Sequence, residues 1–249
     1  MNTTEYNRNL MKSQFALASG MVSDQAKGVP FPPLQKPYDK NAKRMPLPKP
    51  DGSVLGVNDL DACLRKRRSR RKFTDESLTL PELSYLLWAT QGVDETIAGG
   101  YCTLRPTPSA GARHPFETYL AINRVEGIAP AMYRYLPLSH ELLLEFEEKD
   151  MDRSLTKACL GQSFVGDGAV VFIWTCIPYR CEWRYHVLAH KVMLIDAGHL
   201  CQNLYLVCEA MGCGTCAIGA YDQAAMDAVV RVDGHDEYVV YLAPVGRLA

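Results

Sequence analysis

The stretch VLAHKVMLIDAGHLCQNLYLVCEAMG, residues 187–212, decides the fold because it is the longest helical pattern in the chain. It carries few charges across its centre, and Gly212 is placed to end the helix. A long helix that is apolar on most sides must be covered, either inside its own fold or by a second subunit. We therefore expect a helix over 187–211 and a homodimer built around it.

Further helices and strands are predicted on both sides of this stretch. Thr79 and Glu82 have the spacing of a capping box, which predicts a helix over 80–91, and Asn58 is placed to cap an earlier short helix. Strands are predicted over 119–125, 132–136, 141–146, 169–177 and 238–245, and a last helix over 223–231. Short connections between the first three strands favour an antiparallel meander. The fourth strand is an unbroken apolar run, which is typical of a strand buried on both faces.

The chain divides into an arm and a body. Residues 1–50 are rich in proline and lack periodicity, so we expect an extended arm, and its scattered apolar residues favour packing over the body. The remaining chain, 51–249, is predicted to be a single domain. With 249 residues, of which 47% are hydrophobic, the protein can bury a large core.

The cysteine content also indicates the cellular compartment of the protein. Nine cysteines, an odd number in a chain too large to need disulfide staples, indicate reduced thiols and a cytoplasmic protein. No apolar run approaches the roughly 18 residues that a membrane helix requires. We therefore expect no membrane partner.

A block of basic residues, 65–72, is interrupted by Ser69 and closed by Phe73. Such a block can be a nucleic-acid patch or a solvated helix end. The formal net charge of the chain is −1, so the wider positive field that nucleic-acid binding needs is missing. Arginine forks match phosphate oxygens, and a small anionic ligand is the better interpretation.

Three other candidates favour packing over chemistry. Cys213 and Cys216 have redox-motif spacing, but no second cysteine pair or thioredoxin-like context accompanies them. His199, among apolar neighbours, is interpreted as a satisfied core histidine. His186 and His190 are one helical turn apart without a third ligand, so no metal site is predicted.

Small residues recur beside polar ones in three separate segments, and small residues let the backbone approach a flat ligand. These segments are the basic block, residues 106–112 and residues 218–222. The chain resembles the flavin-dependent nitroreductase family over residues 58–247 in the order of three motifs, together with a terminal Gly246-Arg247. The motifs are Arg67-Arg68-Ser69-Arg70-Arg71-Lys72-Phe73, Pro108-Ser109-Ala110-Gly111-Ala112 and Gly212-Cys213-Gly214-Thr215-Cys216-Ala217-Ile218-Gly219. The resemblance implies an α+β fold with an antiparallel sheet flanked by helices, in an intertwined homodimer that holds FMN at its interface.

Within that family the chain is most similar to the SagB-type branch, which oxidises peptide azolines to azoles. Pro115 and Glu117 follow the Pro-Ser-Ala-Gly-Ala loop as they do in that branch. The match extends to Gly127, Tyr133-Arg134-Tyr135, Ala197-Gly198-His199 and Gln202-Asn203. Many bacterial nitroreductases have asparagine at the position of Ala112, so a side-chain bond to the flavin from there is absent.

The resemblance also implies which residues bind the cofactor. Phosphate and ribityl contacts are assigned to Arg67, Arg68, Ser69, Arg71 and Arg247. Pro108, Ser109, Ala110 and Gly111 are expected along one side of the isoalloxazine, and Ala217, Gly219 and Ala220 along the other.

The implied function is an FMN-dependent oxidoreductase that passes hydride from NADH or NADPH to a small organic acceptor such as a nitroaromatic or a quinone. One alternative is a dehydrogenase acting on a peptide azoline or a related substrate. Tyr185 is the catalytic candidate there, although Arg184 replaces the lysine of that branch's Lys-Tyr pair and arginine cannot act as a base. A flavin-binding protein without turnover is the remaining alternative.

Overall fold

The protein is described by a computed structural model that covers residues 3–248, apart from the side chains of Leu17 and Ala98. Its helices are α1 Thr3–Leu10, α2 Leu60–Lys66, α3 Leu80–Gln91, α4 Met151–Ala158, α5 Tyr179–Tyr185, α6 Ala189–Met211 and α7 Gln223–Val230. Its strands are β1 Arg44–Pro46, β2 Glu95–Ile97, β3 Cys102–Leu104, β4 Phe116–Ile122, β5 Ala131–Leu136, β6 Glu141–Phe146, β7 Val170–Cys176, β8 Cys213–Thr215 and β9 Tyr238–Arg247.

Seven of these strands form one sheet in the order β1-β6-β5-β4-β7-β9-β8, and every neighbouring pair is antiparallel. The strands β2 and β3 form a separate hairpin. The expected class, an antiparallel sheet flanked by helices, is confirmed.

Alternate residues of β7, an inner strand between β4 and β9, face two different layers of helices. Phe172 and Trp174 lie in one hydrophobic cluster with residues of α3 and α6. Val171 and Ile173 lie in a second cluster with residues of α4 and α7. Because side chains alternate across a strand, a strand covered on both faces must be apolar throughout. This explains the unbroken run that the sequence contains here.

Most predicted elements are confirmed, with shifts at their ends. The helix over 80–91 has the predicted bounds, and both bonds of its capping box are present. The short helix α2 is capped by Asp59, whose carboxylate accepts the backbone N–H of Asp61 at 2.9 Å, so the cap predicted at Asn58 is wrong by one residue. The last strand continues to Arg247, beyond the predicted end, because β8 pairs with its final residues.

The long helix starts two residues later than predicted. A 3₁₀ turn, His186–Leu188, precedes it, and His186 adopts a left-handed φ of 52°. Gly212 ends the helix at φ 72°, a backbone conformation that glycine adopts at little cost.

The arm over residues 1–50 is less extended than predicted where it is described. It contains the helix α1, whose Glu5 and Arg8 lie at the ends where the helix dipole favours them, and the edge strand β1. As expected, the arm packs over the body: the Trp183 Nε1–H donates to the Val29 carbonyl oxygen at 2.8 Å. No helix within residues 3–248 is long and apolar enough to cross a membrane.

Candidate functional site

The basic block leaves α2 and runs alongside the edge strand β8. Ser69 forms a parallel bridge with Thr215, and the Arg70 backbone N–H donates to the Thr215 carbonyl oxygen at 2.9 Å. Phe73, at the end of the block, forms an antiparallel bridge with Leu248. The block is therefore fixed to the sheet and is not a free helix end.

Most of the positive charge in this block is not neutralised. Arg65 pairs with Asp61 at 2.7 Å. Within residues 3–248, no carboxylate forms an ion pair with the guanidinium groups of Arg67, Arg68, Arg70 and Arg71. The Arg70 Nε is also buried and has no hydrogen-bond partner among residues 3–248. Four unneutralised guanidinium groups in one segment are suited to a phosphate or another anion.

Tyr205, on α6, joins two of the segments that the sequence proposed separately. Its hydroxyl oxygen lies 2.9 Å from Ser69 Oγ and accepts the backbone N–H of Ala217 at 2.8 Å. The Arg67 guanidinium packs over its ring, 5.2 Å from the centroid. The basic block and the start of the 217–220 segment thus meet at one phenol.

The other predicted residues of the 217–220 segment lie at the surface. Gly219 and Ala220 are exposed, and the Ala220 carbonyl oxygen accepts a bond from Gln162 Nε2 at 2.9 Å. A Cβ added to Gly219 would meet no atom within 4 Å. This segment therefore leaves open space beside it.

Arg247 is already engaged by an acidic residue. Its Nη2 donates to both carboxylate oxygens of Glu82, at 2.7 and 2.8 Å, and its Nη1 donates to Cys213 Sγ at 3.5 Å. Its carbonyl oxygen accepts the backbone N–H of Thr74, two residues beyond the basic block. The residue lies beside the block, but its charge is neutralised by Glu82, so a role in phosphate binding stays a prediction.

The Pro-Ser-Ala-Gly loop is held by a buried carboxylate on α6. Asp196 accepts the Ser109 hydroxyl at 2.6 Å and the Ala110 backbone N–H at 3.1 Å. Burial raises the pKa of Asp196, and the bonds from Ser109 and Ala110 act in the opposite direction. Pro108 itself is exposed. The loop is thus fixed from behind, with its proline at the surface.

Gly111 brings the loop against α5. It has φ 60°, and an ideal Cβ on it would lie 2.6 Å from the Tyr185 hydroxyl and 3.0 Å from Arg184 Nε. The Arg184 guanidinium lies 5.5 Å from the Tyr185 ring centroid, and Phe15 of the arm packs edge-on against the same ring. No side chain larger than hydrogen fits at Gly111 without movement of Tyr185.

Within the chain the predicted residues form two groups, both positioned by α6. The first group surrounds Asp196 and contains the Pro-Ser-Ala-Gly loop, and the second surrounds Tyr205 and contains the basic block. Asp196 and Tyr205 are nine positions apart on the helix, which corresponds to about 13 Å along the axis.

Asp196 and Tyr205 were missed by the sequence reasoning, although both hold predicted site residues in place. An available signal was the acid at 196, because a carboxylate in the middle of an apolar helix seldom lies there without a bonded partner. Tyr205 carried no comparable signal, since a tyrosine in such a helix is an ordinary packing residue.

The histidines and cysteines that the sequence assigned to packing have different surroundings in the structure. His199 is half-buried, and its Nδ1 has no hydrogen-bond partner within residues 3–248, so the prediction that it is satisfied is wrong. His190 bonds Glu182 at 2.9 Å, and no group of three potential metal ligands occurs in the described part of the chain. Burial raises the pKa of Cys213 to about 11, so this thiol is protonated at neutral pH.

Similar proteins are found by sequence and by structure. The chain is 32% identical over 203 residues to MJ1384, a nitroreductase-family protein of Methanocaldococcus jannaschii, covering 82% of this chain and 96% of that protein. A crystal structure from Anabaena variabilis, also described as a nitroreductase, is 28% identical with a TM-score of 0.71. That comparison covers 84% of this chain and 42% of the Anabaena chain.

A further relative is a peptide-processing protein. The chain is 27% identical over 156 residues to the trifolitoxin-processing protein TfxB of Rhizobium leguminosarum bv. trifolii, and the match covers 61% of this chain and 41% of TfxB. This similarity supports the likeness to the SagB-type branch. The model of the nitroreductase family matches residues 64–247, a range that contains the basic block, the Pro-Ser-Ala-Gly loop, the 217–220 segment and α6. The chain therefore belongs to the nitroreductase family.

Proposed function

We propose that the protein is an FMN-dependent oxidoreductase that takes hydride from NADH or NADPH and delivers it to an organic acceptor such as a nitroaromatic or a quinone. The observation that carries this proposal is the set of unneutralised guanidinium groups at Arg67, Arg68, Arg70 and Arg71. Such a cluster suits one terminal phosphate. Bound FMN would supply the hydride chemistry, so the protein needs few acid, base or nucleophilic groups of its own.

The two groups of residues divide the work of holding the cofactor. Arg67, Arg68, Ser69 and Arg71 would bind the phosphate and the ribityl chain. Pro108, Ser109, Ala110 and Gly111 would lie along one side of the ring, and Ala217, Gly219 and Ala220 along the other. The Ala110 N–H is already bonded to Asp196, so in this loop it fixes the backbone and is not free to bond the ring.

A homodimer would bring the two groups together. The exposed face of α6 carries the neighbouring residues Leu194 and Ile195, whose relative exposures are 65% and 48%. Apolar side chains grouped in this way favour burial against a second copy. We propose that FMN binds at that interface.

The purified protein tests the cofactor and the enzyme activity in one experiment. We expect a flavin absorbance spectrum with about one FMN per chain, FMN and not FAD on release, and bleaching when NADH or NADPH is added without oxygen. Colourless protein that cannot be reconstituted with FMN would overturn the proposal. A flavin spectrum that neither nicotinamide bleaches would contradict the nicotinamide-dependent function and leave two alternatives, a dehydrogenase that takes hydride from its own substrate and a flavin-binding protein without turnover.

A second candidate function is dehydrogenation of a peptide azoline or a related substrate. Two observations favour it: the Tyr185 hydroxyl lies against the Pro-Ser-Ala-Gly loop beside the Arg184 guanidinium, and TfxB is named as a processing protein. In that reaction a carbon-bound proton must leave as hydride moves, and a positioned base contributes about 10²- to 10⁴-fold. Tyr185 is the candidate for this base.

Tyr185→Phe distinguishes the two functions. Reduction of a nitroaromatic or a quinone can take its protons from solvent, so we expect the variant to retain most NAD(P)H-dependent turnover. The control is Tyr221→Phe, since the Tyr221 hydroxyl bonds the Val239 carbonyl oxygen in the second core. A loss of about a hundredfold or more with FMN still bound would instead support a substrate that is deprotonated at carbon.

A further inference from the structure

A chain of hydrogen bonds runs from the backbone of the 217–220 segment through α6 to the basic block. The Ala217 N–H donates to the Tyr205 hydroxyl oxygen at 2.8 Å, and that oxygen lies 2.9 Å from Ser69 Oγ. Ser69 is exposed, whereas Tyr205 is half-buried. The chain therefore ends at a hydroxyl at the protein surface, between arginines that have no carboxylate partner within residues 3–248.

The direction of this chain follows from the donors and acceptors available. A backbone N–H can only donate, so the Tyr205 oxygen is the acceptor in its bond with Ala217. The phenol has one proton of its own, and within residues 3–248 the remaining polar partner of Tyr205 is Ser69. If Ser69 donated instead, the half-buried phenol proton would have no acceptor within residues 3–248, whereas the exposed Ser69 can direct its own proton to solvent.

With Tyr205 donating, the proton of Ser69 is free to point outward. Ser69 accepts the Tyr205 hydroxyl with one lone pair, and its own proton is left to donate towards the surface. Tyr205, whose hydroxyl orients Ser69, also carries the Arg67 guanidinium on its ring, 5.2 Å from the ring centroid. A hydroxyl donor beside guanidinium groups matches the acceptor oxygens of a phosphate.

We propose that Tyr205 is a positioning residue that fixes Ser69 as a hydrogen-bond donor to the phosphate of the cofactor. The proposal rests on the proposed function, and it deepens it by naming the residue that orients Ser69. Tyr205 itself does not touch the phosphate. Its hydroxyl also accepts the Ala217 N–H on the ring side of the site, and riboflavin binding measures the effect of that second contact.

Paired ligands test this proposal. The dissociation constants of FMN and of riboflavin, which lacks the phosphate, are measured by quenching of flavin fluorescence with cofactor-free protein. For Tyr205→Phe we expect FMN binding to weaken about tenfold and riboflavin binding to change less than about twofold. A fold-change of ten corresponds to about 1.4 kcal/mol, the size of one hydrogen bond to a charged group.

Ser69→Ala provides a second variant, at an exposed position where loss of folding is not expected. It should weaken FMN binding by a similar factor. The double variant Ser69→Ala/Tyr205→Phe should be no weaker than Ser69→Ala alone, because both changes remove the same contact. Tyr221→Phe, in the second core, serves as the control and should bind both ligands as the wild-type protein does.

Two results would overturn the proposal while leaving the proposed function in place. One is equal weakening of FMN and riboflavin by Tyr205→Phe, which would give Tyr205 a packing role alone. The other is unchanged FMN binding by both single variants. If the wild-type protein binds no FMN, the proposed function fails, and inorganic phosphate becomes the probe. A rise in melting temperature with phosphate that Tyr205→Phe abolishes would still support the hydroxyl chain, and equal rises would overturn it.

Discussion

At the scale of single residues, the charges of the basic block are not equivalent. Lys66 is the exposed last residue of α2, whereas Arg67 packs over Tyr205 and Arg71 over the ring of Phe164, 5.7 Å from its centroid. We predict that Arg67→Ala or Arg71→Ala weakens FMN binding by about 1.5 to 3 kcal/mol, the value of a charge-assisted hydrogen bond. Lys66→Ala should change it by less than about twofold. Fluorescence titration measures all three, and equal small effects would show that the block is a solvated face.

His114 predicts how stability depends on pH. His114 is buried and lies two residues after the Pro-Ser-Ala-Gly-Ala loop. Its backbone N–H donates to Ser109 Oγ. Burial, together with nearby arginines, lowers its pKa to about 3, so it stays neutral in the folded protein. The unfolded chain takes up that proton near pH 6.5. The free energy of unfolding therefore falls as the pH drops from about 6.5 towards 3.

The corresponding measurement is urea unfolding at pH 7 and at pH 5. The wild-type protein should lose about 2 kcal/mol more over this interval than His114→Gln does. Asp196 acts in the opposite sense, because burial raises its pKa and acid then favours the folded state. The control is His235→Gln, whose side chain is 92% exposed and which should follow the wild-type curve.

At the scale of elements, the N-terminal arm is attached to the sheet through a buried ionic network. Glu117 on β4 pairs with Arg180 of α5 and Arg134 of β5, and it also accepts the backbone N–H of Lys36 in the arm at 2.8 Å. All three charged side chains of this network are 4% exposed or less. The network links the arm to β4, which follows the Pro-Ser-Ala-Gly loop in the chain, and to α5, which contacts Gly111 of that loop.

Glu117→Gln should lower the free energy of unfolding by about 3 kcal/mol, because it leaves the buried Arg180 guanidinium without a carboxylate partner within residues 3–248, whereas Arg134 keeps its ion pair with Glu145. Glu141→Gln is the matched control, since its ion pair with Arg44 is partly exposed and should contribute about 1 kcal/mol or less. Denaturant unfolding measures both. A loss for Glu117→Gln no greater than that of the control would show that the network contributes nothing beyond surface pairs.

At the scale of the whole molecule, the exposed face of α6 predicts the state of assembly. Leu194→Asp combined with Ile195→Asp should give a monomer that does not retain FMN, because an obligate interface of well over about 2,000 Å² would lose its apolar centre. Leu160→Asp, at a side chain 66% exposed elsewhere, is the control. A wild-type monomer that carries FMN in native mass measurements would contradict the prediction.

The sequence alone determined the helix ends and the buried strand, because these features depend on residues that are close together in the chain. The capping box of Thr79 and Glu82 set one helix, Gly212 set the end of another, and the apolar run of β7 indicated burial on both faces. The order of the three motifs was sufficient for the family. Each of these features is local, so its physical cause lies within a few residues of the chain.

The tertiary structure decided what depends on residues far apart. Asp196 holds Ser109 across 87 positions, Tyr205 meets Ser69 across 136, and Glu82 binds Arg247 across 165. A capping glutamate that also binds an arginine from the last strand cannot be found from local spacing. Side-chain hydrogen bonds between distant segments form only when the sheet and α6 bring their atoms within about 3 Å, and no periodicity in the sequence encodes that meeting.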